Sequence, residues 1–180
     1  REMKVWKDLK HPNIVEFIGY AIEHEVGGVT AALVSQWCAN GNVVKYLEQN
    51  PAADREMLVS DVARGLLYLH NHDAIIVHAD LKPLNILIND TGRAQLCDFG
   101  LSRILDGLPT GQTTSDQGGT LRFLAPELLE SSEEDSHPTT KSDVYAFGCT
   151  CVQVSGSALG RSELTVASRR FSLIIHHTIG

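Results

Sequence analysis

The chain has 180 residues, 43% of them hydrophobic and 21% charged, which fits one globular domain with an ordinary core and excludes a disordered segment. Its net charge is −7 and its 15 Lys and Arg form no dense block, so no nucleic-acid partner of the basic-stripe kind is expected. Cys38, Cys97, Cys149 and Cys151 lie scattered behind a charged Arg-Glu-Met-Lys start, and no apolar run approaches the roughly 18 residues of a membrane span; an intracellular, cytoplasmic chain without disulfides and without membrane insertion is expected.

Met3, Trp6 and Leu9 form a helical stripe over residues 1–10 that ends before His11-Pro12, because the residue preceding a proline avoids the helical region. Two strand-like pieces follow, Ile14 to Tyr20 and Val29 to Ser35, around a charged turn that contains glycine. From Asp54 to His70 the apolar positions Leu58, Val62, Leu66 and Leu69 recur every three to four residues, which predicts an amphipathic helix. Residues 105–120, LDGLPTGQTTSDQGGT, hold four glycines and no periodicity and read as a mobile loop. Val144 to Val154 is apolar nearly all round apart from Thr150 and Gln153, which predicts a buried helix. Residues 155–180 lose any clear period and read as a divergent, poorly specified tail. No internal repeat is evident, and no motif encodes an oligomeric state.

The chemistry concentrates between residues 78 and 98. In NILINDTGRAQLCD two short segments flank Thr91-Gly92, a tight-turn signal because glycine accepts positive φ. Pairing Asp90 with Arg93 then sets Ile88 against Gln95, Ile86 against Cys97 and Asn85 against Asp98. A carboxamide and a carboxylate at one hairpin end suit Mg²⁺, which takes one or two protein oxygens and completes its shell with phosphate and water. Asp80 and Lys82 stand just upstream. A base, a cation and a metal pair in one loop are the parts that phosphoryl transfer needs, since its catalysis is mostly positioning and charge neutralisation.

These residues resemble the eukaryotic protein kinases. HADLKPLN, residues 78–85, is similar to the family's catalytic loop; Asp98-Phe99-Gly100 resembles its metal motif; Ala125-Pro126-Glu127 resembles the motif that closes its activation segment. SDVYAFG, residues 142–148, is similar to the start of its large helix, where Asp143 would anchor the catalytic-loop backbone. HPNIV, residues 11–15, resembles the stretch after the regulatory helix, with Glu2 where the family's ion-pairing Glu sits. LVSQWCANGNVVKYL resembles the hinge between lobes, with Ser35 as gatekeeper and Gln36, Trp37 and Cys38 facing adenine.

The resemblance implies an α+β kinase fold over residues 1–154, with 1–35 a remnant of the small lobe and 36–154 the helical large lobe. It implies ATP and Mg²⁺ as cofactors and a protein substrate. Asp80 would accept the substrate hydroxyl proton, Lys82 would neutralise the moving phosphoryl, Asn85 and Asp98 would hold Mg²⁺, and Leu87 would pack beneath adenine. A hydrophobic spine would run through Trp6, Phe17, Phe99 and His78. Lys82 and Gly119-Thr120 look like a Ser/Thr-type kinase, while the hinge and helix wording look like the tyrosine-kinase-like group, so Tyr specificity stays open.

The chain also departs from the pattern. Ala79 stands where the family usually has an Arg that pairs with an activation-loop phosphate, so a phosphate on Thr113, Thr114 or Ser115 is not expected to switch this protein in the usual way. The Gly-rich loop and the strand Lys would precede Glu2, and the family's basic partner for Glu127 has no matched position, with Arg161, Arg169 or Arg170 as unplaced substitutes. A chain cut at both ends reads as a fragment or an altered reading frame, and a catalytically inactive, pseudokinase-like module acting by protein binding is the alternative function. Cys97 reads as a small buried hydrophobe. Cys149 and Cys151, at i and i+2 of a helix, point apart, which argues against a zinc site with His176 and His177.

Overall fold

The computed structural model describes residues 6–25, 28–99, 121–130 and 137–156. Met3, Glu2, Gly100, the 105–120 loop with Thr113, Thr114, Ser115 and Thr120, and most of the tail with His176 and His177 lie outside them.

Trp6 to Asp8 close a helical turn. The chain then enters an antiparallel hairpin of β1 (Phe17–Glu25) and β2 (Gly28–Ser35). The first strand thus begins at Phe17 and not at Ile14. Residues 13–15 are occupied elsewhere: Ile14 forms a parallel bridge to Leu96, the Leu96 N–H donates to the Asn13 carbonyl at 2.9 Å, and the Val15 N–H donates to the Leu96 carbonyl at 2.9 Å. The row Ile18, Tyr20 and Ile22 on β1 is exposed.

Two helices follow. Helix α1 (Val43–Gln49) starts where the Asn42 side chain accepts the Lys45 N–H, and α2 (Arg55–His70) starts where the Asp54 carboxylate accepts the Met57 N–H at 2.9 Å. Each cap satisfies a backbone donor that the helix leaves orphaned, an effect of about 1 kcal/mol. The predicted stripe on α2 is buried, with Leu58, Val62, Leu66 and Leu69 at 0–5% exposure. Each such side chain contributes roughly 1.5–3 kcal/mol. This face packs on strand β4 (Ala94–Leu96) and on α4 (Thr140–Gly156), and a short helix α3 (Pro126–Glu130) precedes α4.

Strand β3 (Ile86–Ile88) pairs with β4 antiparallel, in the register Ile86 with Leu96, Leu87 with Gln95 and Ile88 with Ala94. The expected register is therefore off by one residue. The loop has three residues, Asp90 to Gly92, with Gly92 at φ +77°, and Asn89 closes it by accepting the N–H groups of Thr91 and Arg93 on Oδ1. The extra residue slips every partner by one. Cys97, and not Asp98, stands opposite Asn85, with its N–H on the Asn85 carbonyl at 3.1 Å.

Helix α4 exceeds its expected span at both ends. Its buried side is mostly small and polar residues, Ser142, Asp143, Ala146, Gly148, Thr150 and Cys151, with Val154 near its end, whereas Val144 and Tyr145 are exposed.

Candidate active site

Pro83 to Asn85 form a single 3₁₀ turn with Pro83 at its first position, where its fixed φ is suited and its missing N–H costs nothing. The turn brings the side chains at positions 80, 82 and 85 together. Lys82 Nζ lies 2.7 Å from Asp80 Oδ2, and Asn85 Nδ2 donates to the same oxygen at 2.9 Å and to the Asp80 carbonyl at 2.8 Å. Lys82 and Asn85 are buried, while the Asp80 carboxylate keeps 40% exposure. The acid thus faces solvent with its orientation fixed from behind.

The loop bearing Asp80 is held by Asp143 at the start of α4. Its Oδ2 accepts the His78 N–H at 2.7 Å and its Oδ1 the Ala79 N–H at 2.9 Å, and His70 Nε2 lies 2.8 Å from Oδ2. Ala79 sits at φ +69°, in the left-handed region. His78 is fully buried, and burial holds its imidazole below the ordinary range even though Asp143, Asp80 and Asp98 pull the other way. Its Nδ1 accepts the Asp80 N–H at 3.4 Å, and its Nε2 finds no hydrogen-bond partner among the described residues.

Asp98 follows Cys97 at φ +57° and is exposed. Both N–H bonds of Asn85 Nδ2 go to Asp80, which leaves the acceptor end of that amide, Oδ1, for a cation. Among the described residues no cluster of three or more His, Cys, Asp or Glu could hold a metal. A carboxamide oxygen from Asn85 and a carboxylate from Asp98 are hard oxygen donors, in kind suited to an ion such as Mg²⁺ that retains other ligands and not to zinc.

Four rings stand in sequence beside this loop. Trp6 lies 5.0 Å from Phe17 and 5.2 Å from Phe99, centroid to centroid, and Phe99 lies 6.2 Å from His78. Ser35 ends β2 opposite Phe17; Gln36 is exposed and donates its N–H to the Glu16 carbonyl at 3.0 Å; Trp37 is 84% exposed; Cys38 is buried. Leu87, half-buried, bridges Asn42. Burial pushes the Cys97 thiol far up, with Asp98 adding to it, so this cysteine is an inert thiol. Glu127 lies exposed on α3.

A family model described as protein kinase domain matches residues 1–166. The chain belongs to the protein kinase domain family. The match runs past Val154, where the sequence motifs stop. The kinase domain is 38% identical over 154 residues to the putative L-type lectin-domain containing receptor kinase V.8 of Arabidopsis thaliana, covering 81% of this chain and 23% of that protein. It is 36% identical over 156 residues to receptor-interacting serine/threonine-protein kinase 3 of Rattus norvegicus, covering 82% and 32%. It is 30% identical over 181 residues to serine/threonine-protein kinase TNNI3K of Homo sapiens, covering 98% and 21%. The chain therefore spans about a quarter of these relatives. The kinase domain family uses ATP, typically with Mg²⁺.

Sequence reasoning missed His70, Asp61 and Gln95. His70 carried a faint signal, a polar residue directly after the last apolar position of α2. Gln95 carried none, because its partners lie far away in sequence, and Asp61 showed only an ordinary i,i+3 pairing with Arg64, its Arg93 and Ala94 partners being distant.

Proposed function

We propose that this kinase domain transfers the γ-phosphoryl group of ATP to a Ser or Thr hydroxyl of a protein substrate. The observation that carries the reading is the bonded set Asp80, Lys82 and Asn85, with Asp80 exposed on one side and held on the other. In the transfer, the Asp80 carboxylate accepts the hydroxyl proton as that oxygen bonds to the γ-phosphorus, and ADP departs. Lys82 places its ammonium where negative charge builds on the moving phosphoryl. Asn85 and Asp98 are the residues to hold Mg²⁺, which when bound neutralises phosphate oxygens. Ser35, Gln36, Cys38 and Leu87 border the adenine. Lys82 in the D-x-K spacing and the names of the relatives support Ser/Thr over Tyr.

The domain is read as residues 1–154. The placement we propose is cytoplasmic, supported by scattered free thiols of the kind a reducing compartment keeps. No helix among the described residues is long and apolar enough to cross a membrane.

The test is a Mg-ATP titration of the chain followed by transfer to a Ser/Thr peptide library. The expected dissociation constant lies below about 1 mM, about −4 kcal/mol, with binding weakened in Asp98→Asn and transfer abolished in Asp80→Ala. No nucleotide binding would overturn the reading in favour of a partner-binding module.

A further inference from the structure

Gln95 occupies the middle of β4 between Ala94 and Leu96, both fully buried in the core. Because strand side chains alternate, Gln95 faces the other way, on the same face as its cross-strand partner Leu87. That face is the floor of the proposed nucleotide site. Gln95 is only 7% exposed there, and a buried carboxamide is costly unless both its ends are bonded. Both ends are. Nε2 donates to the Pro12 carbonyl at 3.1 Å, and Oε1 accepts the Cys38 thiol at 3.7 Å, with Cys38 itself 6% exposed.

Those two partners belong to the two passes of chain that join the β1–β2 hairpin to the rest of the molecule. Pro12 lies on the way in, four residues before Glu16, and Cys38 lies on the way out, three residues after Ser35. The two passes are themselves cross-linked, since the Gln36 N–H donates to the Glu16 carbonyl at 3.0 Å, and the Cys38 carbonyl is committed to the Gly41 N–H at 3.0 Å. One side chain rooted in the large-lobe floor therefore holds both connections.

We propose that Gln95 is a positioning residue that clamps the hinge segment 36–41 over Leu87 and so sets the distance between hinge and floor into which adenine fits. This rests on the nucleotide-site reading above, and it adds a residue outside every motif of the sequence. The clamp is a buried polar contact with a direction. An apolar residue of equal size fills the space without fixing the hinge.

The experiment uses the whole chain and the near-isosteric Gln95→Met, with amide hydrogen exchange read residue by residue. Exchange at Gln36 and Gly41 is expected to rise about tenfold, the equivalent of losing one hydrogen bond of about 1.4 kcal/mol, while Ile88 and Leu96 on the adjoining strands keep their rates. Cys38→Ser, which retains a donor to Oε1, is expected to leave the hinge rates at their original level. Unchanged hinge amides in Gln95→Met, or a uniform rise across all amides, would overturn the clamp. Adenosine affinity is expected to fall about tenfold in Gln95→Met while inorganic tripolyphosphate affinity holds. Equal loss for both probes would overturn the adenine-spacing role, and a wild-type chain that binds neither would refute the nucleotide reading while the exchange data still decide the clamp.

Discussion

Asp143 Oδ1 accepts the backbone N–H of Ala79 at 2.9 Å across 64 residues of chain, and Ala79 is held at φ +69°. A non-glycine residue in the left-handed region carries a penalty of about 1–2 kcal/mol, so it persists only where its surroundings over-determine it. The buried carboxylate, which also takes the His78 N–H and faces His70 Nε2, does this. Replacing it with an amide turns one acceptor oxygen into a donor aimed at a donor. Asp143→Asn is expected to lower stability by about 1–3 kcal/mol, the cost of stranding a buried donor. A urea midpoint equal to that of the wild type would refute this anchor.

The Ala79 methyl group has a second consequence. With a methyl group in place of a guanidinium at position 79, a phosphate added to Thr113 or Thr114 has no charge partner there. The double variant Thr113→Ala, Thr114→Ala is expected to transfer phosphate as fast as the wild type. A large stimulation by phosphorylation, lost in that variant, would show that another residue reads the phosphate.

Asp61 is fully buried on α2 yet belongs to no motif. Burial alone would raise its carboxyl pKa, but Arg93 Nε at 2.7 Å, the Ala94 N–H at 3.1 Å and the Arg93 charge outweigh that, and the net position is below the ordinary carboxylate value. A carboxylate with a depressed folded pKa contributes stability that is present above its unfolded value of about 3.9 and is lost as pH falls through the folded one. In Arg93→Met burial dominates, and the acid-unfolding midpoint is expected to move to higher pH. Circular dichroism from pH 7 to pH 2 measures it, and an unmoved midpoint would show that Arg64, at 3.1 Å, suffices alone.

How much of this was legible depended on how far each residue's partners lie along the chain. Asp80, Lys82 and Asn85 lie within six residues and meet around the single 3₁₀ turn Pro83–Asn85, so their spacing already encoded their contact. The α2 stripe was legible because its period is local. The β3–β4 register was missed by one because an Asn side chain, and not the Thr-Gly pair alone, closes the loop. Beyond the local Arg64 of Asp61, the partners of Asp61, Gln95 and Asp143 lie 32 to 83 residues away, and no local pattern carries such information. Asp143 was found only because it lies within a recognisable motif.

Gly65 lies inside α2, where Gly→Ala ordinarily stabilises a helix by about 1 kcal/mol. Here a Cβ would stand 2.6 Å from the Asn13 carbonyl oxygen and 3.1 Å from Leu96 Cδ1. That carbonyl accepts the Leu96 N–H and cannot retreat without loosening the bond that seats residues 13–15 on β4. Overpacking of this kind costs about 1–3 kcal/mol and exceeds the helical gain. Gly65→Ala is expected to lower the urea midpoint, and a raised midpoint would mean that α2 is free to slide on the strand.

His78 joins the ring stack to the catalytic loop while it is fully buried and held neutral. A base whose folded pKa lies below its unfolded value near 6.5 withholds protons that the unfolded chain binds. Stability is therefore complete above pH 6.5 and falls as pH drops below it, which is opposite in sign to a histidine that gains an acidic partner. His78→Phe keeps a ring against Phe99 and removes the titrating nitrogens, one of which finds no partner among the described residues. The difference in unfolding free energy between pH 7.5 and pH 5.5 is expected to shrink in the variant. A smaller slope remains from His11, which burial and Arg64 also hold below the ordinary range. If wild type and variant lost stability equally over this interval, His78 would be taking up its proton in the folded state, with the loop around Asp80 open enough to solvate it.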